Sequence, residues 1–226
     1  RSSAASDVYK RQAIVNKDGI AKVSSKVLAG EVVTMSIDWE HIPAKHRQLI
    51  KAFLDEADMS ADAIKTVDFS PACGADIVVS CEKAKDPKNG SIYLKPTQFV
   101  LGIGCRRDTA FENIDRAIRQ SLLKLQIDIS DIDMIASIDV KKDEPGIKEF
   151  CERNRIEFVT YTADELMAVQ GEFSASQFVR EHVGVDNVCE RAAVLACSKE
   201  CNKAGELIYK KHKYDSVTVA AARYPD

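Results

Sequence analysis

No stretch of this 226-residue sequence is apolar for long enough to span a bilayer. A spanning helix needs about 20 consecutive apolar residues, and runs such as Phe99–Ile103 and Ala192–Cys197 stop far short. Basic residues are not in excess either: 32 Lys and Arg face 35 Asp and Glu, for a net charge of -3. A broad nucleic-acid surface needs such an excess. Neither a membrane nor a nucleic acid is therefore an expected partner, and any anion site must be local. The seven cysteines are odd in number and contain no C-x-x-C pair. That pattern excludes a disulfide framework and fits a reducing compartment, the cytoplasm. Cys197 and Cys201, with Cys189 upstream, come nearest to metal-ligand spacing. No histidine lies close in sequence to complete a set, so no metal site is expected and the thiols read as small hydrophobes. What remains is ordinary for a globular protein, at 45% hydrophobic and 30% charged residues.

The first twelve residues, RSSAASDVYKRQ, are polar, without an apolar period or a signal-peptide core. The piece Asp7–Gln12 resembles the translation of a transposase adaptor used in sequencing libraries. Residues 1–12 thus read as a non-native leader or a disordered terminus, and neither belongs to the fold. Residues 13–96 form a smaller α/β region. It has a strand and turn within Ala13–Val23, a short helix over Ser24–Ala29, a strand at Val32–Ile37 and a helix from Pro43 to Ala57. Short strands follow at Ile77–Val79 and Ile92–Leu94. No cluster of catalytic residue types is visible in it, so it reads as an accessory or linking domain.

Residues 97–226 alternate strand and helix. Strands are expected at Phe99–Ile103, Met134–Val140 and Ile156–Tyr161, with helices after Thr109 and over Pro145–Asn154, Ala163–Val169, Ser174–His182 and Val188–Ser198. Thr109 and Glu112 have capping-box spacing. Leu207–Tyr209 and Val217–Ala221 close the chain with no helix between them. The expected architecture is α/β: a three-layer α/β/α domain with a mixed sheet, preceded by the smaller α/β segment.

Chemistry-bearing residues concentrate in this second region. Gly102-Ile103-Gly104-Cys105 leads a strand into a helix, and the glycines would let backbone approach an anion, with Arg106 and Arg107 adding charge. It is neither a Walker A loop nor a full dinucleotide fingerprint. A tight turn without a ligand remains the alternative. Cys105 would have a lowered pKa if the helix start and arginines dominated; otherwise it is a small packing residue. Strand alternation puts Ser137, Asp139 and Lys141 on one face. Asp139 or Glu144 could activate water and Lys141 could meet an oxyanion, unless they form a solvated, salt-bridged edge. Phe173, Ser174 and Ser176 open a helix that could take a carboxylate or merely be capped. Glu190 is another candidate base, or else a partner for Arg191 or Arg180.

Leu101–Thr109 (LGIGCRRDT), Ala136–Lys141 (ASIDVK), Asp143–Gly146 (DEPG), Phe173–Val185 (FSASQFVREHVGV), Val188–Ala193 (VCERAA) and Thr218–Ala221 (TVAA) together resemble the C-terminal domain of the cobalamin-biosynthesis protein G family, the cobalt-precorrin-5A hydrolases of the anaerobic corrin pathway. The resemblance spans Phe99 to about Ala222, with a looser likeness through Asp76–Ser80 and Tyr93–Pro96. Asp108 departs from it, since many relatives carry Gly there. The family's N-terminal domain is not in this sequence. The resemblance implies a hydrolase that opens the δ-lactone of a cobalt tetrapyrrole and releases acetaldehyde, or alternatively a non-catalytic carrier of corrinoid intermediates. It implies no cofactor, because cobalt arrives in the substrate. Gly102, Gly104, Cys105, Arg106, Arg107, Thr109, Ser137, Phe173, Ser174 and Ser176 would bind substrate, and Asp139, Lys141, Glu144 and Glu190 would carry the chemistry. Other corrin-pathway enzymes or a second copy of the chain are the protein partners left open.

Overall fold

The computed structural model describes residues 12–14, 19–57, 64–69, 74–81, 91–201 and 203–225. The chain divides into two units between Thr97 and Gln98. Unit 1 has strands β1 (Gln12–Ile14), β2 (Val33–Ile37), β3 (Ile64–Val67), β4 (Ile77–Val79) and β5 (Ile92–Pro96), with helices α1 (Gly19–Leu28) and α2 (Ala44–Ala57). Its sheet order is β1-β5-β4-β2-β3. The strands β3, β2, β4 and β5 run parallel, and β1 is antiparallel to β5. Val33, Met35, Ile37, Ile50, Val79 and Leu94 form its core. The expected leader reached one residue too far, because Gln12 already pairs with Pro96. Helix α1 starts five residues earlier than expected, and residues 15–18 lie outside the described residues.

Unit 2 contains β6 (Phe99–Cys105), α3 (Phe111–Leu125), β7 (Ile132–Ile138), α4 (Pro145–Asn154), β8 (Glu157–Tyr161), α5 (Ala163–Met167), α6 (Gln177–Val183), α7 (Cys189–Cys201), β9 (Glu206–Tyr214) and β10 (Val217–Arg223). The sheet order is β8-β7-β6-β10-β9, with β6, β7 and β8 parallel and the β9–β10 hairpin antiparallel. It is therefore mixed, as the absence of a helix between the last two strands implies. Alternate residues of the central strands feed two cores. Leu101, Ile103, Ile135 and Val219 meet Ile114, Ile118, Ile147 and Phe150 of α3 and α4 on one face. Val100, Ala136, Ile138 and Ala222 meet Ala192, Ala193 and Ala196 of α7 on the other. Full burial of a Val, Leu, Ile or Phe side chain contributes about 1.5–3 kcal/mol, and an alanine methyl less.

The small residues explain how close α7 comes. A Cβ on Gly102 would lie 1.7 Å from the Cys189 carbonyl oxygen. Gly102 is thus a packing glycine at the start of α7, and its neighbour across the sheet is the equally small Ala220. Strand β7 ends at Ile138, and Asp139–Lys141 turn into a short 3-10 helix. The expected alternation of Ser137, Asp139 and Lys141 on one strand face therefore breaks after Ser137. Helix α6 begins at Gln177, three residues beyond Ser174.

Candidate functional site: the carboxyl edge of the unit 2 sheet

The carboxyl ends of β6 and β7 open into two polar loops, the place where open α/β sheets set ligands. Glu144 joins the loops. Its carboxylate accepts from the Thr109 backbone N–H at 2.9 Å and from Lys141 Nζ at 2.7 Å. It is only 6% exposed. Thr109 turns its hydroxyl to the Arg106 carbonyl at 2.7 Å. The expected capping box with Glu112 is therefore absent: Ala110 is the N-cap of α3 and gives it no side-chain bond. Cys105 sits beside this group, half-buried. Burial pushes its thiol up to about 11, Lys141 opposes that shift, and Glu144 adds to it. The lowered pKa considered for Cys105 is overturned, since desolvation exceeds the pull of nearby cations.

A second buried carboxylate lies at the start of α7. Glu190 is fully buried and accepts from Ser174 N at 2.7 Å, Ser174 Oγ at 2.8 Å and Lys211 N at 2.6 Å. Lys211 Nζ returns to the Ser174 carbonyl at 2.9 Å. The Lys211 N–H is available because β9 bulges against β10 between Tyr209 and His212. Asn187 Oδ1 accepts from the Glu190 N–H at 2.9 Å, and its amide donates to Ser174 O at 3.0 Å. Glu190 thus fastens the 173–176 segment and β9 to α7, and it is not the partner of Arg191. That guanidinium pairs with Asp186, at 2.7 Å from Nε, and also donates to the Leu166 and Val169 carbonyls. Phe173 stacks on it, 4.5 Å from the guanidinium carbon to the ring centre.

The residues singled out from sequence thus divide by role. Cys105, Thr109, Lys141 and Glu144 come together, and Ser174 joins Glu190. Gly102 and Gly104 serve close packing: a Cβ on Gly104 would meet Thr218 Oγ1 at 2.7 Å. Ser137 is fully buried and donates to the Ile103 carbonyl at 2.7 Å, tying β7 to β6. Ser176 caps α6 without a side-chain bond. Arg106 and Arg107 are exposed, and Asp139 is half-exposed. Asp139 is the acid among these candidates whose carboxylate no described residue engages. Lys211, Asn187 and Asp186 were missed. The Asn187-to-Glu190 spacing of three, a helix-start signal, could have revealed one of them. Among the described residues no group of three or more His, Cys, Asp or Glu side chains is placed to hold a metal ion, and no helix is long and apolar enough to cross a membrane.

Unit 1 departs from its reading as a region without catalytic residue types. Asp38 and Ser80 follow the adjacent parallel strands β2 and β4. Ser80 Oγ donates to Asp38 Oδ2 at 2.9 Å, and His41 Nδ1 lies 2.9 Å from Asp38 Oδ1. Asp38 and Ser80 are 42 residues apart, so only the fold reveals the group.

A three-layer α/β unit with acid and cationic groups on the carboxyl edge of its parallel strands belongs to the class of open-sheet α/β proteins. Within that class, residues 99–222 match the family described as Cobalamin synthesis G C-terminus, and the chain belongs to that family. It is 34% identical over 126 residues to the cobalt-precorrin-5A hydrolase of Salmonella typhimurium, covering 56% of this chain and 34% of that one. It is 31% identical over 138 residues to the cobalt-precorrin-5A hydrolase of Priestia megaterium, covering 61% of this chain and 35% of that one. The chain thus spans about a third of the length of these two relatives. The solved structure of CobE, a protein from the cobalamin (vitamin B12) biosynthetic pathway, is similar with a TM-score of 0.54 and 26% identity, over 57% of this chain and 91% of that one.

Proposed function

We propose that the chain carries hydrolase machinery for cobalt-precorrin-5A in the anaerobic, cytoplasmic route to cobalamin, opening the δ-lactone ring and releasing acetaldehyde to give cobalt-precorrin-5B. The family supports the pathway, and two hydrolase relatives support the reaction. The observation that carries the assignment of roles is the difference among the three acids of the carboxyl edge. Glu144 accepts from two protein donors and Glu190 from three. Asp139 alone of the three is half-exposed and without a described partner, so it is the group able to take a proton from water.

In this reading Asp139 deprotonates the water that attacks the lactone carbonyl. The acyl C–O bond breaks, leaving a carboxylate, and the proton held by Asp139 passes to the departing alkoxide. The hydroxyl-bearing carbon then leaves as acetaldehyde: its C–C bond to the macrocycle breaks, the hydroxyl proton is lost, and the conjugated ring takes the electron pair and a proton. Lys141, fixed by Glu144, has ammonium donors left to meet the developing oxyanion. Arg106 and Arg107 face solvent and suit the peripheral carboxylates of the substrate. Cobalt stays inside the macrocycle throughout and no cofactor takes part. The test is to mix the purified chain with cobalt-precorrin-5A and follow absorbance and acetaldehyde. Asp139→Asn is expected to lower kcat by about 10²–10⁴-fold with binding retained. Intact turnover with weaker binding would make Asp139 a contact and remove its role as base.

The likeness of unit 2 to CobE supports a second reading, a carrier module that binds corrinoid intermediates without chemistry. A spectral shift with no acetaldehyde would favour it.

A further inference from the structure

The carboxyl edge of unit 2 has one more side, the β9–β10 hairpin, and its register shows what stands there. Gly104 of β6 pairs with Thr218 of β10, and Thr218 pairs with Lys213 of β9. Residues paired across neighbouring strands stand on the same face of a sheet. That face is the one on which α7 packs, because a Cβ on Gly104 would point at Thr218 Oγ1 and at the Val188 side chain, 3.9 Å away. Lys211 gives the same answer from β9 itself. It is two residues from Lys213, hence on the same face, and its Nζ reaches the Ser174 carbonyl at the start of α7.

Helix α7 covers this face only in part. At Gly102 its backbone leaves no room for a methyl, and the glycine is buried. At Gly104 the approach is made by the Val188 side chain alone, and the glycine is half-exposed. The sheet therefore comes out from under α7 at the row Gly104–Thr218–Lys213. Thr218 gives its hydroxyl proton to the Gly104 carbonyl at 3.1 Å. Lys213 is exposed, and among the described residues no carboxylate pairs with it.

The hairpin is also fastened to the loop that carries the two arginines, since the Arg106 N–H donates to the Ser216 carbonyl at 3.0 Å. Strands lie about 4.8 Å apart, which sets Lys213 about 10 Å from Gly104 along the row. Strand β7, whose end carries Asp139, is three strands and about 14 Å from β9. A broad, flat ligand ringed by carboxylates spans such a distance, and an ammonium on a flexible stem suits one of them. We propose that Lys213 holds a peripheral carboxylate of the substrate from the hairpin side of the site, across from the Asp139 turn, and so sets a preference for a carboxylate-bearing tetrapyrrole. The choice of a tetrapyrrole rests on the function proposed above, whereas the open row and its free cation do not.

The test titrates the full chain with two cobalt corrinoids: cobyrinic acid, whose peripheral side chains end in free carboxylates, and cobinamide, whose side chains are amides. The wild type is expected to bind cobyrinic acid the more tightly. Lys213→Gln, a change at an exposed position, should weaken cobyrinic acid about 5–10-fold and leave cobinamide unchanged, because a hydrogen bond between two charged groups is the stronger kind. Lys210→Gln, the same charge change on the same strand, should move neither. With cobalt-precorrin-5A, Lys213→Gln should raise KM by a similar factor at unchanged kcat, the mark of a contact made equally in the ground and transition states. Equal losses for both corrinoids, a loss matched by Lys210→Gln, or no binding of either corrinoid would each overturn the site. Undiminished binding of cobyrinic acid by Lys213→Gln would make Lys213 a guard of the edge strand and nothing more. Acetaldehyde release, measured in parallel, separates the two proposals. Turnover with binding indifferent to Lys213 keeps the hydrolase and sinks the site. A carboxylate-dependent loss in Lys213→Gln, with no acetaldehyde from the wild type, keeps the site and sinks the hydrolase.

Discussion

Both units carry buried carboxylates beside a mixed sheet, yet the carboxylates differ in what they hold. In unit 2, Glu144 and Glu190 accept from main-chain N–H groups, those of Thr109, Ser174 and Lys211, as well as from Lys141 Nζ and Ser174 Oγ, and so pin loops. In unit 1, Asp38 accepts from a serine hydroxyl and an imidazole, and so aims a side chain. An acid that accepts from backbone N–H groups fastens a loop. An acid that accepts from side chains fixes their orientation. The distinction separates the two well-partnered glutamates from Asp139, whose carboxylate no described residue engages.

The largest expected effect tests the packing side of this contrast. Gly102→Ala puts a methyl 1.7 Å from the Cys189 carbonyl. Only backbone movement of α7 relieves that clash, so a loss above about 4 kcal/mol is expected, read as failure of unit 2 to unfold cooperatively in a thermal scan. A normal scan would mean that α7 can shift, and that the glycine is retained for a ligand. Next comes Glu190→Gln. Its amide cannot accept from all three donors, so about 2–3 kcal/mol should be lost, a drop of roughly 10 °C in the thermal midpoint. Unchanged stability with lost turnover would return Glu190 to the chemistry.

A smaller effect concerns acid. Hydrogen bonds from Arg191 hold the Asp186 carboxyl below its usual range, against burial. For Asp76 in unit 1, burial pushes upward but the bonds from Lys26 and Thr34 outweigh it. A depressed folded pKa contributes stability that is complete above the unfolded value of about 3.9 and is lost as pH falls through the folded value. Thermal midpoints should therefore fall below about pH 4, and Asp186→Asn should flatten that fall. An unchanged acid slope would show that the Leu166 and Val169 carbonyls hold Arg191 by themselves. The smallest effect is at Cys105. With its thiol pushed up to about 11 by burial, alkylation at pH 8 should be slow and Cys105→Ser should leave turnover unchanged. Rapid labelling would mean that the loop opens and exposes the thiol.

The layout of unit 2 was legible wherever a local signal agreed with the packing. Pro145 marks the first turn of α4, whose range Pro145–Asn154 reads directly from sequence. The mixed sheet followed from two strands without an intervening helix. Other features depend on partners far along the chain. Strand β9 continues past the expected Leu207–Tyr209 to Tyr214, because pairing with β10 overrides the polar composition of that stretch. Strand β3, IKTV, is too short and polar to announce itself. The Thr109 cap fails because Glu144, 35 residues away, takes its N–H. Asp38 and Ser80 share no local pattern at all. The motif residues were legible as a cluster in sequence, but only the fold shows which side chains support loops and which face outward.

The bulge in β9 has a bearing on solubility. β9 is an edge of the unit 2 sheet, and an open edge invites pairing with another chain. Here the strand is kinked at Lys211, whose N–H turns inward to Glu190, and exposed Lys210 and Lys213 flank the kink. A second copy would have to match an interrupted ladder and bring its own lysines against these, so the contact that seats Glu190 also guards the sheet against aggregation.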